Sequence, residues 1–327
     1  MNSWLIIGLL FLSNSLSAQQ FTSTKVISLM GSRFEIITVK NDRSVREEAI
    51  SSAIKEIKRI ENLISSWKPN SETSQINAKA GIEPLQISQE LFDLIERAIK
   101  VSKLTDGAFD ISFASIDHLW TFDGKEMKMP DSLLIRGSIG KINFNNIILN
   151  GENRTVFLKE KGMKIGFGAI GKGYAANKAK LVMQGFNIEN GLINAGGDLI
   201  AWGNQENGDP WKIGIADPAK EKEFIAWLNV SNMSVVTSGN YEKYVIIDGK
   251  KYGHIIHPKT GYPVEGIKSV TLLSPDAELS DALATSVFVM GVKDGLELVN
   301  RLKNVECIVV DDENKLWKSN NIKLNYY

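Results

Sequence analysis

Two oxygen-bearing side chains, Asp281 and Thr285, stand four residues apart in the stretch LSDALATSVFVMG. On a helix that spacing puts both on one face, where a carboxylate and a hydroxyl can hold one hard cation. Mg²⁺ takes oxygen ligands, few of them protein carboxylates, and completes its shell from substrate phosphates. A plain helix N-cap explains Asp281 as well at this level. A second stretch, GFGAIGKGYAANKAK, carries Gly166, Gly168 and Gly171 in the spacing G-x-G-x-x-G. Glycines leading into a helix present backbone N–H groups at its positive end, which suits a phosphate, and Lys172 adds charge there. A close-packed backbone crossing beside a solvated lysine would use the same residues. His254 and His257 lie three apart in GHIIHPKTG, ahead of a Pro-Lys-Thr-Gly turn; a proton-transfer role and a structural one are both open. In NAGGD, Asn194, Gly196, Gly197 and Asp198 make a tight turn that lets the backbone approach something closely.

The glycine spacing raises the question of a dinucleotide fold. That fingerprint needs a strand, the glycines, a helix, and an acid about 20 residues on. KGMKI before the glycines, YAANKAKLVMQ after them, and Glu189 or Asp198 beyond meet part of this. The match lies in mid-chain, however, and antiparallel-looking strands follow it where a second βαβ unit should be. A Walker A loop is also unmet, because Gly173 rather than Ser or Thr follows Lys172.

The elements that must position these residues are readable from periodicity. Lys25–Val39 is a strand broken by Gly31. From Ser44 to Ile64 apolar residues recur at three and four, predicting an amphipathic helix. SSWKPNSETSQIN is a polar loop around Pro69. A second helix runs from the cap-like Ser88 to Gly107. INFNNIILNGENRTVFLKE is strand, turn at Asn150-Gly151, strand. A glycine-led helix follows, then NGLINAGGDLIAWG, a strand interrupted by paired glycines. WKIGIADP, FIAWLNVSNMSVVTSG, KYVIIDGKKYGHII and SVTLLSPD alternate like antiparallel strands, and helices close the chain from Ser280. Strands and helices mix without a regular βαβα rhythm and without a linker. The expected fold class is therefore α+β with largely antiparallel sheets, in one catalytic unit.

The 327 residues are 43% hydrophobic and 23% charged, with Lys+Arg and Asp+Glu balanced at 38 each. That balance argues against a polyanion partner such as nucleic acid. Cys307 is the only cysteine, so an internal disulfide and a multi-cysteine zinc site are excluded; in its apolar run it is expected to be buried. At the N-terminus, WLIIGLLFL followed by SNSLSAQQ has the length and order of a secretory h-region and cleavage region. Residues 1–18 are expected to be a signal peptide and 19–327 an exported, periplasmic catalytic domain.

Taken in order, eight stretches resemble the ApbE-type FAD:protein FMN transferases: LMGSRFEI, SSWKPNSETSQIN, TDGAFDIS, GFGAIGKGYAAN, INAGGD, SGNYEKY, GHIIHPKTGYPV and SDALATSVFVMG. The resemblance covers nearly all of 19–327. It implies a mixed α+β unit related to the tunnelling fold, with FAD as substrate and Mg²⁺ as cofactor. A Thr or Ser hydroxyl of an acceptor protein would attack the FMN-side phosphorus of FAD, and AMP would leave. An S/T-G-A-S/T-type site on a membrane or extracytoplasmic electron-transfer protein is the acceptor the resemblance suggests. It also implies Mg²⁺ ligands at the Ala169 carbonyl, Asp281 and Thr285. Met30, Trp67, Ala108, Phe109, Asp110, Lys172 and Ile255 would contact the cofactor. His254 would take the proton of the attacking hydroxyl or hold a phosphate, and Asp198 is a second base candidate or a turn cap. Trp67 replaces the usual Tyr, Gly166 and Asn177 each replace an Asp, and His257 replaces a frequent Asp. Rival readings are an FAD pyrophosphatase using water as nucleophile and a non-enzymatic exported flavin binder.

Overall fold

Eight antiparallel strands form the central sheet, two from the start of the described chain and six from its second half. The structure, a computed structural model, describes residues 22–39, 41–220, 223–241, 243–322 and 324. The proposed signal peptide lies outside the described residues. Strands β1 (Thr22–Leu29) and β2 (Ser32–Val39) open the chain as a hairpin, so the run read as one broken strand is two paired strands. Its two-residue turn, Met30-Gly31, takes positive φ at both positions (49° and 69°), as the twist of a tight hairpin requires.

Helix α1 (Arg43–Ile64) follows, burying Ala49, Ala53, Ile57, Ile60 and Ile64 at helical spacing. The polar loop after it is half helix: α2 (Glu72–Ala78) starts at Ser71, whose side chain accepts from the Ser74 N–H. Only seven residues long, with Thr73 and Ile76 as its buried pair, it has too little apolar pattern to register as periodic. After the short β3 (Leu85–Gln86) comes α3 (Gln89–Leu104), capped by Ser88 as expected. A 3-10 helix (Ile111–Leu119) and α4 (Ser132–Ile139) come next. Strands β4 (Ile147–Asn150) and β5 (Thr155–Leu158) pair as read, with four loop residues between Asn150 and Thr155.

Helix α5 (Gly171–Gly185) leads to β6 (Asn190–Ala195) and β7 (Asp198–Trp202), a hairpin across Gly196-Gly197, both at positive φ. Strands β8 (Trp211–Ala216), β9 (Phe224–Val230), β10 (Met233–Gly239), β11 (Tyr244–Ile247), β12 (Lys250–Gly253) and β13 (Ile267–Ser274) follow. Helices α6 (Ala277–Met290) and α7 (Val292–Arg301) precede β14 (Glu306–Asp311) and β15 (Leu316–Lys318).

The central sheet runs β1-β2-β6-β7-β10-β13-β14-β15, every neighbouring pair antiparallel. One face is covered by α1, α5 and α6, whose apolar sides meet Phe34, Ile36, Ile193 and Leu272 in the main core. Each such fully buried side chain contributes about 1.5–3 kcal/mol over exposure. The β8–β9 hairpin brings Trp211 and Leu228 to the opposite face, against Leu199 and Val235. A third, smaller core joins the 3-10 helix, α4 and the β11–β12 hairpin through Ile116, Trp120, Ile135 and Val245. Cys307 is fully buried in the main core. The mixed α+β architecture expected from the sequence is the one observed.

Candidate functional site

Two glycines of the GFGAIGKGYAAN stretch set the approach of the helices around the site. A Cβ on Gly171 would sit 2.7 Å from Ile64 Cδ1 of α1, and one on Gly173 would sit 2.1 Å from the Ala277 carbonyl oxygen of α6. Gly173 therefore lets α6 pass at backbone distance, and Gly171 makes room for the Ile64 side chain of α1. The close crossing and the ligand-facing role are not alternatives here. The crossing is what carries Asp281, on α6, to the start of α5, where its Oδ2 accepts the Gly173 N–H at 3.0 Å. In a continuing helix that N–H would donate four residues back, to the Ala169 carbonyl. Its diversion to Asp281 leaves that carbonyl available at the helix start.

Thr285 lies one turn after Asp281 on α6, and its hydroxyl is 3.3 Å from Ser238 Oγ of β10. Asp281 is 3% exposed, and burial pushes its carboxyl above the ordinary range, against the opposing pull of the Lys172 charge and the Gly173 N–H. A buried carboxylate, a hydroxyl and a carbonyl make an all-oxygen donor set, which fits Mg²⁺. A cation there would relieve the desolvation penalty that raises the Asp281 pKa. Ala169, Asp281 and Thr285 thus suit the metal the resemblance implies.

These residues open onto a cleft of about 350 Å³, into which Gly168, Lys172, Thr237 and Ser238 also face. No apolar plug separates the glycine-rich loop from Asp281 and Thr285, since all line the same space. Ala108, Phe109, Asp110 and Ile255 line it as well. Trp67 stands at its edge, 81% exposed, a costly place for an indole unless a flat partner covers it. Met30 sits beside the start of α5: its Cε would be 3.7 Å from a Cβ on Gly171. A left-handed backbone is unusual for a residue with a long side chain, and the hairpin turn imposes it.

Asp110 is committed locally. Its Oδ1 accepts from the Ser112 N–H (2.8 Å) and hydroxyl (2.6 Å), and its Oδ2 from the Phe144 N–H (2.8 Å). It caps the 3-10 helix and ties it to the Phe144 segment beyond α4. Asp198 is 1% exposed and its Oδ2 is bound by the Lys172 ammonium; the pair ties α5 to the β6–β7 hairpin and orients the lysine. Asp198 is not among the residues lining the cleft.

His254 lines the cleft just after β12. Its ring meets Phe122 edge to face, centroids 6.3 Å apart, and its Nδ1 has no hydrogen-bond partner among the described residues. Burial, then the charge of Lys243, push its pKa down to about 4, so the imidazole is neutral at ordinary pH. His257 accepts the Lys259 N–H in the turn that follows (3.1 Å).

Two departures from the family pattern have physical reasons. A Cβ on Gly166 would stand 3.0 Å from the Cβ of Ala114, so any side chain there requires the Ala114 backbone to give by a few tenths of an ångström. Asn177 donates to Asp276 Oδ1 (2.6 Å) and accepts the Ala277 N–H (3.1 Å). Asp276 caps α6, and an aspartate at 177 would set carboxylate against carboxylate. Sequence reasoning missed Ser238 and Lys243, both on the cleft wall. Their only local signal is their place in TSGNYEKY, which is polar without a period.

Comparison with known proteins bears on this geometry. The ApbE family model matches residues 30–309. An FAD:protein FMN transferase of Klebsiella pneumoniae (strain 342) is 32% identical over 283 residues, 86% of this chain and 88% of the relative. One of Treponema pallidum (strain Nichols) is 30% identical over 275 residues, covering 79% and 76%. The crystal structure of the ApbE protein from Thermotoga maritima superposes with a TM-score of 0.84 at 29% identity, over 91% of this chain and 97% of that one. The flavin transferase ApbE from Vibrio cholerae, at 24% identity and a TM-score of 0.81, shares the fold.

Proposed function

The chain belongs to the ApbE family, and on that premise we propose that it is an FAD:protein FMN transferase, attaching FMN to a Thr or Ser hydroxyl of an acceptor protein and releasing AMP. The observation that carries this reading is the meeting of Asp281, the Gly173 N–H and Lys172 at one open cleft. A buried carboxylate beside an ammonium and a helix N-terminus is an arrangement for a cation and a diphosphate together.

In the proposed reaction the acceptor hydroxyl oxygen attacks the FMN-side phosphorus of FAD. An oxygen–phosphorus bond forms, and the bond from that phosphorus to the bridging oxygen breaks. AMP leaves with the bridging oxygen. The hydroxyl proton passes to the neutral imidazole of His254, whose Nδ1 is without a protein partner. Its basicity, held low by burial and the neighbouring lysines, rises when an anionic diphosphate sits beside it. Ala169, Asp281 and Thr285 would hold Mg²⁺, which when bound neutralises charge on the diphosphate. Lys172, oriented by Asp198, faces the phosphates, Trp67 offers a face for a planar ring, and Met30, Ala108, Phe109 and Ile255 shape the cofactor's surroundings. Asp110 acts by fixing the segment that carries Ala108 and Phe109. The acceptor we propose is an extracytoplasmic or membrane electron-transfer protein, in keeping with the exported location read from residues 1–18.

The test is to incubate the protein with FAD, Mg²⁺ and an acceptor domain bearing an S/T-G-A-S/T-type site, then measure intact mass. An FMN adduct on the acceptor is expected. Free FMN and AMP without adduct would make the protein a pyrophosphatase, and FAD retained without turnover would make it a binder. Asp281→Asn keeps an acceptor for the Gly173 N–H while removing the charge. It is expected to leave folding intact and cut turnover at least about a hundredfold; unchanged turnover would remove the metal assignment.

A further inference from the structure

Lys243 and His254 face each other at the open end of the β11–β12 hairpin. Tyr244 pairs with Gly253 in antiparallel register, and the His254 N–H donates to the Lys243 carbonyl at 3.1 Å. The ladder thus continues one pair beyond the strands. Residues directly opposite in an antiparallel ladder send their side chains to the same face, with Cβ atoms about 5 Å apart. Both residues line the cleft, so that face is the cleft wall.

The two cleft lysines differ in their attachments. Lys172 comes from α5 and is held by Asp198. Lys243 comes from the hairpin, is exposed, and pairs with no carboxylate among the described residues. Both nevertheless act on one group, since the charge of each lowers the proton affinity of His254. The imidazole is therefore flanked by an ammonium already committed to the protein and one that no carboxylate of the described residues pairs with. A cation so placed on a concave wall attracts an anion.

On the transferase reading, which this inference deepens, His254 takes the proton of the attacking hydroxyl and so lies beside the phosphorus under attack. We propose that Lys243 is a further substrate-binding residue, its ammonium holding an oxygen of the FMN-side phosphoryl group from the hairpin side of the cleft. This assigns the SGNYEKY stretch a role in recognising the transferred group rather than the departing AMP.

Three ligands separate the outcomes, each titrated in the presence of Mg²⁺ into wild type, Lys243→Met and Lys243→Arg, with binding read by flavin fluorescence or calorimetry. FMN carries the phosphoryl group in question, riboflavin lacks it, and AMP carries the other one. Wild type is expected to bind FMN more tightly than riboflavin. Lys243→Met should weaken FMN about tenfold or more, the scale of one charge-assisted hydrogen bond, with riboflavin and AMP unchanged and Lys243→Arg restoring most of the loss. Equal weakening of all three ligands, or an unchanged FMN-to-riboflavin ratio in Lys243→Met, would overturn the assignment and leave the transferase reading standing. A wild type without preference for FMN over riboflavin would overturn both. Lys243 is exposed, so the Met variant is expected to fold as wild type, and an unchanged melting curve verifies this.

Discussion

Replacing Gly173 by Ala tests the helix crossing on which the site depends. The added methyl would lie 2.1 Å from the Ala277 carbonyl oxygen, 2.6 Å from its carbon and 2.9 Å from Asp281 Cβ. The first two are backbone atoms of α6 and cannot swing aside, so α6 must move outward by roughly an ångström to reach ordinary contact distance. Overpacking of this kind costs about 1–3 kcal/mol. The shift also stretches the 3.0 Å bond from the Gly173 N–H to Asp281, and losing a hydrogen bond to a charged group costs about 1.5–3 kcal/mol. The better helix propensity of Ala returns about 1 kcal/mol. The net expectation is a loss of about 2–5 kcal/mol, read as a lower urea midpoint at unchanged slope. Gly185→Ala is the matched control: same helix, same exchange, nothing within 4 Å of the new methyl. It should be neutral to about 1 kcal/mol more stable. FMN transfer by Gly173→Ala, assayed where the variant is still folded, should fall with the displacement of Asp281 and Thr285. A Gly173→Ala protein as stable as the Gly185→Ala control and fully active would refute the crossing as the device that assembles the site.

Three further expectations follow from the same structure. Asn177→Asp places a carboxylate against Asp276, 2.6 Å from the present amide, and should cost about 1–2 kcal/mol at neutral pH through a lost bond and like-charge repulsion; denaturant melts at pH 7 and pH 4 should show the deficit shrinking as the pair takes up a proton. His254, held at about 4 in the fold against an ordinary 6.5, binds its proton more weakly folded than unfolded. The unfolded chain therefore carries more protons between these values, and stability falls as pH drops through that window, by about 3 kcal/mol in all; His254→Gln should flatten that part of the stability profile, and an unchanged slope would contradict the assignment. Cys307 is fully buried and its thiol is pushed well up by that burial, so a thiol reagent should label it only in denaturant, and rapid labelling of native protein would contradict its place in the core.

What could be read from residues alone was whatever short stretches determine locally. The turns Met30-Gly31 and Gly196-Gly197 need positive φ; their glycines marked a break in each run, but the reversal that makes each run two paired strands was not read from them. The helical spacing of Ala49, Ile57 and Ile64, and the Ser88 cap, specified α1 and α3 before any neighbour was known. The glycine loop, the His254 turn and the Asp281–Thr285 pair were joined into one constellation only by the resemblance of eight ordered stretches to the ApbE family, not by any local pattern. The short α2 escaped because it holds too few apolar positions to show a period, and the 3-10 helix because its apolar residues Ile111, Phe113, Ala114, Ile116 and Leu119 recur at three rather than at the α-helical three and four.

Only the tertiary structure decided which distant segments meet. Strand pairing joins β2 to β6 and β7 to β10, contacts set by burial across the whole sheet. Asp198 became the partner of Lys172 and Asp110 a cap for its own loop, while Lys243 came to stand beside His254. Local propensity acts over a few residues, so it specifies turns and helices; the charge and hydrogen-bond environment of a side chain is created by chain segments that arrive from elsewhere, and exists only once they have packed.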